Sequence, residues 1–162
     1  MRYLVQQKLL SWGDDFTIQD DDGNDIFFVD GKAFSVGNKL SFQDMQGNEL
    51  AFIRQKLMAW SPTYEISRGN EILATIKKEL FTFFSSKFEV DVPGPNDYHV
   101  EGNMLEYEYT FTRPRGGVVA QVSKKWFSFS DRYGIDVVDG EDDVLVLAAA
   151  VVIDQVCHER QR

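Results

Sequence analysis

The sequence predicts a mainly β protein: a closed antiparallel β-barrel of about twelve strands around a central hydrophobic helix near the C-terminal end. Three observations carry this. Residues 144–153 are apolar without a break. Before them, short runs of alternating apolar and polar residues recur, separated by Gly, Asn and Asp. The turns between those runs share one pattern. A helix apolar on every side must be buried on every side. A long meander achieves that by closing around it, which also removes exposed sheet edges.

Alternation marks the strands in order: Phe16 and Ile18; Leu40 and Phe42; Tyr64 and Ile66; Ile72, Ala74 and Ile76; Phe88, Val90 and Val92; Tyr107, Tyr109 and Phe111; Val118, Ala120 and Val122; Ile135 and Val137. Period two gives each strand one buried face and one wetter face. The turns Gly23-Asn24-Asp25-Ile26, Gly47-Asn48-Glu49-Leu50, Gly69-Asn70-Glu71-Ile72 and Gly102-Asn103-Met104-Leu105 repeat Gly-Asn, any residue, aliphatic. Gly and Asn tolerate the positive φ of tight hairpins, and the aliphatic residue starts the return strand. Pro93-Gly94-Pro95-Asn96 is the clearest interruption and divides the sheet into two halves of one domain, residues 1–162. Phe81, Phe83, Phe84, Phe127 and Phe129 are expected in the barrel core.

The terminal run reads as a helix. Glu141, Asp142 and Asp143 precede it, and His158, Arg160 and Arg162 follow, which suits the partial charges at helix ends. Ten residues at about 1.5 Å each span roughly 15 Å, too short for a bilayer. Ala148, Ala149 and Ala150 fit the narrowest part of a barrel interior. Barrels of about eight strands fill with side chains, whereas roughly eleven or twelve leave room for a helix.

The residues Asp30-Gly31-Lys32, Asp44-Met45-Gln46-Gly47, Tyr64-Glu65-Ile66, Ala120-Gln121-Val122-Ser123-Lys124-Lys125, Tyr133-Gly134-Ile135-Asp136-Val137 and Val151-Val152-Ile153-Asp154 carry a further likeness. In their order and spacing the chain resembles the LURP-one-related proteins, which belong with the tubby C-terminal and phospholipid scramblase domains. The resemblance implies a twelve-stranded barrel around a C-terminal helix. Tubby domains bind phosphoinositides, and no phosphoinositide motif matches here position by position.

Composition narrows the function. Hydrophobic residues make up 43% and aromatics 14%, enough for a core and against disorder. The formal charge of −9 repels nucleic acid and anionic membranes on average, so either partner would need a locally basic face. One cysteine, Cys157, excludes an intrachain disulfide and a multi-cysteine zinc site. The first residues lack a long apolar stretch of the secretory kind, so the expected location is cytoplasmic, or peripheral at a membrane.

No paired acid–base groups suggest catalysis. Asp20-Asp21-Asp22-Gly23-Asn24-Asp25 has its glycine out of place for a calcium loop and reads as a solvated turn. His99 and His158 lack ligand-spaced partners. No metal and no cofactor are expected. Three basic clusters remain: Lys77-Lys78, Arg113-Pro114-Arg115 and Lys124-Lys125. Adjacent lysines in a strand point to opposite faces, so one of each pair can join a shared face. Converging, Lys77, Lys78, Arg113, Arg115, Lys124 and Lys125 would form an anion site. The expectation is a non-enzymatic binding or scaffold module whose partner is an anionic phospholipid headgroup or, alternatively, a protein.

Overall fold

The computed structural model describes residues 1–8, 15–31, 37–79, 86–126 and 132–158. Twelve strands follow one another: β1 (Arg2–Lys8), β2 (Asp15–Gln19), β3 (Asp25–Gly31), β4 (Lys39–Asp44), β5 (Glu49–Gln55), β6 (Thr63–Arg68), β7 (Glu71–Lys78), β8 (Ser86–Asp91), β9 (Tyr98–Asn103), β10 (Glu108–Thr112), β11 (Val118–Ser123) and β12 (Arg132–Val137). A short 3-10 turn (Met104–Glu106) joins β9 to β10, and the helix α1 (Asp143–His158) ends the described chain. Every strand pairs antiparallel with its sequence neighbours, and β1 pairs with β12, Tyr3 opposite Ile135, closing the barrel. The sheet continues through the Pro93–Asn96 turn, since β8 and β9 pair from Val90–Tyr98 onward, so that turn separates no halves.

The alternation fixes the inner wall. Val5, Phe16, Ile18, Val29, Phe42, Ile53, Ile66, Val100, Phe111 and Ile135 are each fully buried. Leu147 to Val152 of α1 are buried on consecutive positions, which only an enclosed helix permits. Burying a large aliphatic side chain stabilises the fold by about 1.5–3 kcal/mol, so the helix and its sheath depend on each other. The helix lies nearest β5, β6 and β7. Ala51 on β5 and Ala74 on β7 present small side chains there, and both are buried. Tyr98, Tyr109, Phe111 and Tyr133 on other strands fill the interior with large rings.

Two expected inward residues turn out. Ile72 and Val118 are both about half exposed, at 48% and 53%. The register slips between Ile66 and Ser67 in the β6–β7 pair and between Phe111 and Thr112 in β10–β11. One extra residue in the returning strand reverses the alternation beside the turn. The same slip occurs between Ile18 and Gln19 and between Phe42 and Gln43.

The Gly-Asn motif also divides. At Gly23, Gly47 and Gly69 it makes the expected hairpins, with φ of +82, +84 and +58. At Gly102 it ends β9, and Asn103 caps the 3-10 turn by accepting from the Glu106 N–H. Gly102 sits at φ +145 against β10, where a Cβ would lie 2.4 Å from the Glu108 carbonyl oxygen. Phe81, Phe83, Phe84, Phe127 and Phe129, expected in the core, lie outside the described residues.

Candidate functional site

An uninterrupted meander sorts its connections by parity. Odd-numbered strands all run one way, so the β5–β6 and β9–β10 connections and the ends of β7 and β11 share one rim. The β2–β3, β4–β5, β6–β7, β8–β9 and β10–β11 turns share the other, together with the start of α1. Strands of about six residues place the rims roughly 20 Å apart.

The first rim of interest is acidic. It carries Asp20, Asp21, Asp22 and Asp25 in one turn, Asp44 and Glu49 in the next, then Glu71, Asp91, Asp97, and Asp136, Asp139, Glu141, Asp142 and Asp143 around the helix start. Its arginines are largely committed. Arg113 donates to both Glu141 oxygens at 2.9 and 2.7 Å and lies over the Tyr98 ring at 5.6 Å. Arg2 pairs with Asp136 at 3.5 Å and Arg68 with Asp142 at 3.7 Å. Asp20 accepts the N–H groups of Asp22 and Asn24 at 3.0 and 2.9 Å, and Asp44 repeats this with Gln46 and Asn48. Hydrogen bonds from Asn24 and Asn48 hold these two carboxyls below the usual range. These aspartates therefore serve their own turns. At the helix start, Asp142 accepts the Leu145 N–H at 3.0 Å, and the Tyr3 hydroxyl donates to Asp143.

The opposite rim holds most of the lysines. Alternation turns Lys77 to the outer wall and Lys78 towards the barrel mouth. Lys39 begins β4, opposite Arg54. Arg54 and Lys56 both bind Glu65 at 2.9 Å. The Lys56 bond, despite partial desolvation, and then Arg54 hold the Glu65 carboxyl below its usual range. Lys87 pairs with Glu101 at 2.8 Å. Lys39, Lys77 and Lys78 make no ion pair among the described residues, although Glu89 lies across from Lys77 and Glu79 follows Lys78. Lys77 also lines a groove of about 240 Å³ with Glu89, Asp91, Asp97 and His99. Carboxylates outnumber cations there, so the groove itself is no anion pocket.

The three sequence clusters thus do not meet. Arg113 and Arg115 occupy the β10–β11 turn at the acidic rim, because β10 runs opposite to β7 and β11. Lys124 and Lys125 share the lysine rim with Lys77 and Lys78. Four strand spacings separate the two pairs, about 19 Å along the wall. Lys124 caps the Tyr107 ring, its Nζ 5.3 Å from the centroid, and Lys125 lies 3.7 Å from Glu108. Trp126 lies beneath the Arg2 guanidinium at 4.6 Å.

Between Lys39 and Lys77 rises a feature the sequence reading passed over, residues 56–62 joining β5 to β6. Its base is held by bonds from Gln55 N to Asn38 O at 2.9 Å, Lys56 N to Thr63 O at 2.8 Å and Lys78 N to Pro62 O at 3.3 Å. Its tip exposes Leu57 at 59%, Met58 at 99% and Trp60 at 100%. The signal was present: Leu-Met-Ala-Trp follows a basic residue and precedes Ser-Pro, with no period of two.

Behind this rim the helix ends in a polar cluster. Asp154, only 2% exposed, accepts from Tyr107 Oη at 2.8 Å and faces His158 Nδ1 at 2.9 Å. Tyr107 stacks against His158 and Tyr133, with centroids 4.5 and 4.6 Å away. Burial opposes charge on His158, but the Asp154 bond and charge outweigh it and raise the imidazole's pKa. Burial, followed by the Asp154 charge, holds the Tyr109 and Tyr133 phenols well above their ordinary range, keeping them neutral. Cys157 is buried beside them.

Among the described residues no helix is long and apolar enough to cross a membrane. Comparison with known proteins agrees with the architecture. The crystal structure of an Arabidopsis thaliana protein superposes with a TM-score of 0.70 over 96% of this chain and 91% of that one, at 18% identity, a likeness of fold alone. The Bacillus subtilis protein YxjI, described as uncharacterized, is 36% identical over 155 residues, covering 96% of this chain and 93% of its own length. The family model for LURP-one-related proteins matches residues 1–154, nearly the whole barrel and most of its helix, and the chain belongs to that family.

Proposed function

We propose that this protein is a non-enzymatic binding module that engages anionic phospholipid surfaces through its lysine rim. The observation that carries this reading is the segregation of charge. More than half of the 26 acids stand at one rim, while Lys39, Lys77 and Lys78 make no ion pair among the described residues at the other. At physiological salt the screening length is about 8 Å, well short of the roughly 20 Å between rims. The acidic turns therefore do little to repel a surface that meets Lys39 and Lys78, while Lys77 shares its groove with Glu89, Asp91 and Asp97. Each lysine near such a surface contributes about 1 kcal/mol, so the three give weak, salt-sensitive attachment.

Co-sedimentation with phosphatidylcholine vesicles containing phosphatidylglycerol, at low and physiological salt, tests this. Wild type is expected to sediment at low salt and to be released as salt rises. The double change Lys77→Glu with Lys78→Glu is expected to abolish sedimentation. Absence of wild-type binding at low salt would turn the reading towards a protein partner.

A further inference from the structure

We infer that the β5–β6 loop is a membrane-inserting finger, Leu57, Met58 and Trp60 entering the headgroup–acyl boundary while the neighbouring lysines hold the phosphates. The inference rests on the proposed function and adds to it the element that reaches below the surface.

Four observations converge. Met58 and Trp60 are the most exposed large apolar side chains among the described residues, and no other described segment exposes three within four positions. Exposure of this kind costs a soluble protein unless something covers it. Second, the finger is built to hold its shape. Three backbone bonds pin its base, Thr63 Oγ1 donates to the Ser61 carbonyl at 3.0 Å, and Leu57 rests against Gly37. A Cβ on Gly37 would lie 2.9 Å from Leu57 Cδ2, so glycine makes room for that contact. Third, charge surrounds it in the order a bilayer requires. Lys39 and Lys77 flank the loop, Lys78 bonds its last residue, and the acidic rim lies at the far end of the barrel. Fourth, the residue types suit the boundary: Trp pairs an apolar body with one N–H donor, and Met adapts to an irregular surface. Together they describe one occupant, an anionic lipid surface.

The experiment uses a variant in which Trp60 is the sole tryptophan, Trp12→Phe with Trp126→Phe, checked for an unchanged cooperative melt. It is mixed with vesicles of phosphatidylcholine and phosphatidylglycerol, some carrying brominated acyl chains. The Trp60 emission is expected to shift to the blue and to be quenched by bromine. In a chain otherwise native, Met58→Ser with Trp60→Ser is expected to weaken sedimentation at least about tenfold, and both positions are too exposed for the change to disturb folding. Binding without quenching, together with full binding by the serine variant, would overturn the finger and leave the lysine rim as the site. Binding to no vesicle of either composition would overturn both readings. Equal binding to vesicles lacking phosphatidylglycerol, with quenching retained, would uphold the finger and overturn the electrostatic reading.

Discussion

The two rims of this barrel are closed by the same helix in different ways. At the acidic rim the helix start is held by three separate bonds: Asp142 caps Leu145, the buried Tyr3 reaches Asp143, and Arg113 grips Glu141. At the lysine rim the helix end is held by one deep cluster, Asp154 with His158 and Tyr107. Separate contacts tolerate the loss of one, whereas a buried carboxylate shared by two partners does not. The difference lies in what each rim leaves exposed. At the acidic rim Asp20, Asp44 and Asp97 bond their own turns, and Asp142 and Asp143 bond the helix start and Tyr3. The lysine rim hides its polar anchor inside and leaves cations and the loop tip outside.

The sharpest way to break the comparison is to remove what both rims share. Truncation before Asp142 is expected to give insoluble or molten protein, checked by solubility and near-ultraviolet circular dichroism. Ala149→Asp, at a fully buried position, is expected to cost several kcal/mol in denaturant titration.

Next comes the contrast between the anchors. Asp154→Ala is expected to destabilise by about 3–5 kcal/mol, since it strands His158 and Tyr107. Asp142→Ala removes one cap and is expected to cost about 1 kcal/mol. Similar values for both would erase the distinction between a deep and a shallow anchor.

The Gly-Asn motif sharpens the contrast on a smaller scale. Gly102→Ala meets the Glu108 carbonyl and is expected to cost about 3 kcal/mol, while Gly47→Ala, at φ +84 in open space, is expected to cost about 1 kcal/mol. Chemical denaturation of the two variants checks this.

Much of this was legible before the structure. Alternation and the unbroken run at 144–153 gave the barrel and its core, because burial in this fold is periodic and local. The Ile72 and Val118 errors came from bulges, which add a residue without a composition signal. The basic clusters were visible, but their positions depend on strand parity, and parity needs every strand counted correctly. Arg113 and Arg115 fall at the rim opposite the lysines for that reason. Asp154 and His158 stand four apart, a helical pairing that was readable, yet the apolar run drew attention from its polar end.

A gentler probe uses pH. The folded pKa of His158 is raised, so its pairing with Asp154 stabilises fully below the unfolded value of about 6.5 and is lost as pH rises through the folded pKa. Melting temperature is expected to fall across that window in wild type, and to fall less in Asp154→Asn. Equal slopes would remove His158 from the anchor.

The central proposal is that the lysine rim meets an anionic lipid surface and the acidic rim does not. Vesicle co-sedimentation of two charge reversals tests it most directly. The variant Lys77→Glu with Lys78→Glu alters the lysine rim, and Arg115→Glu alters an exposed turn at the acidic rim. On vesicles containing phosphatidylglycerol at low salt, the account predicts loss of binding for the first and wild-type binding for the second. Equal losses from both reversals, or a loss confined to Arg115→Glu, would contradict it.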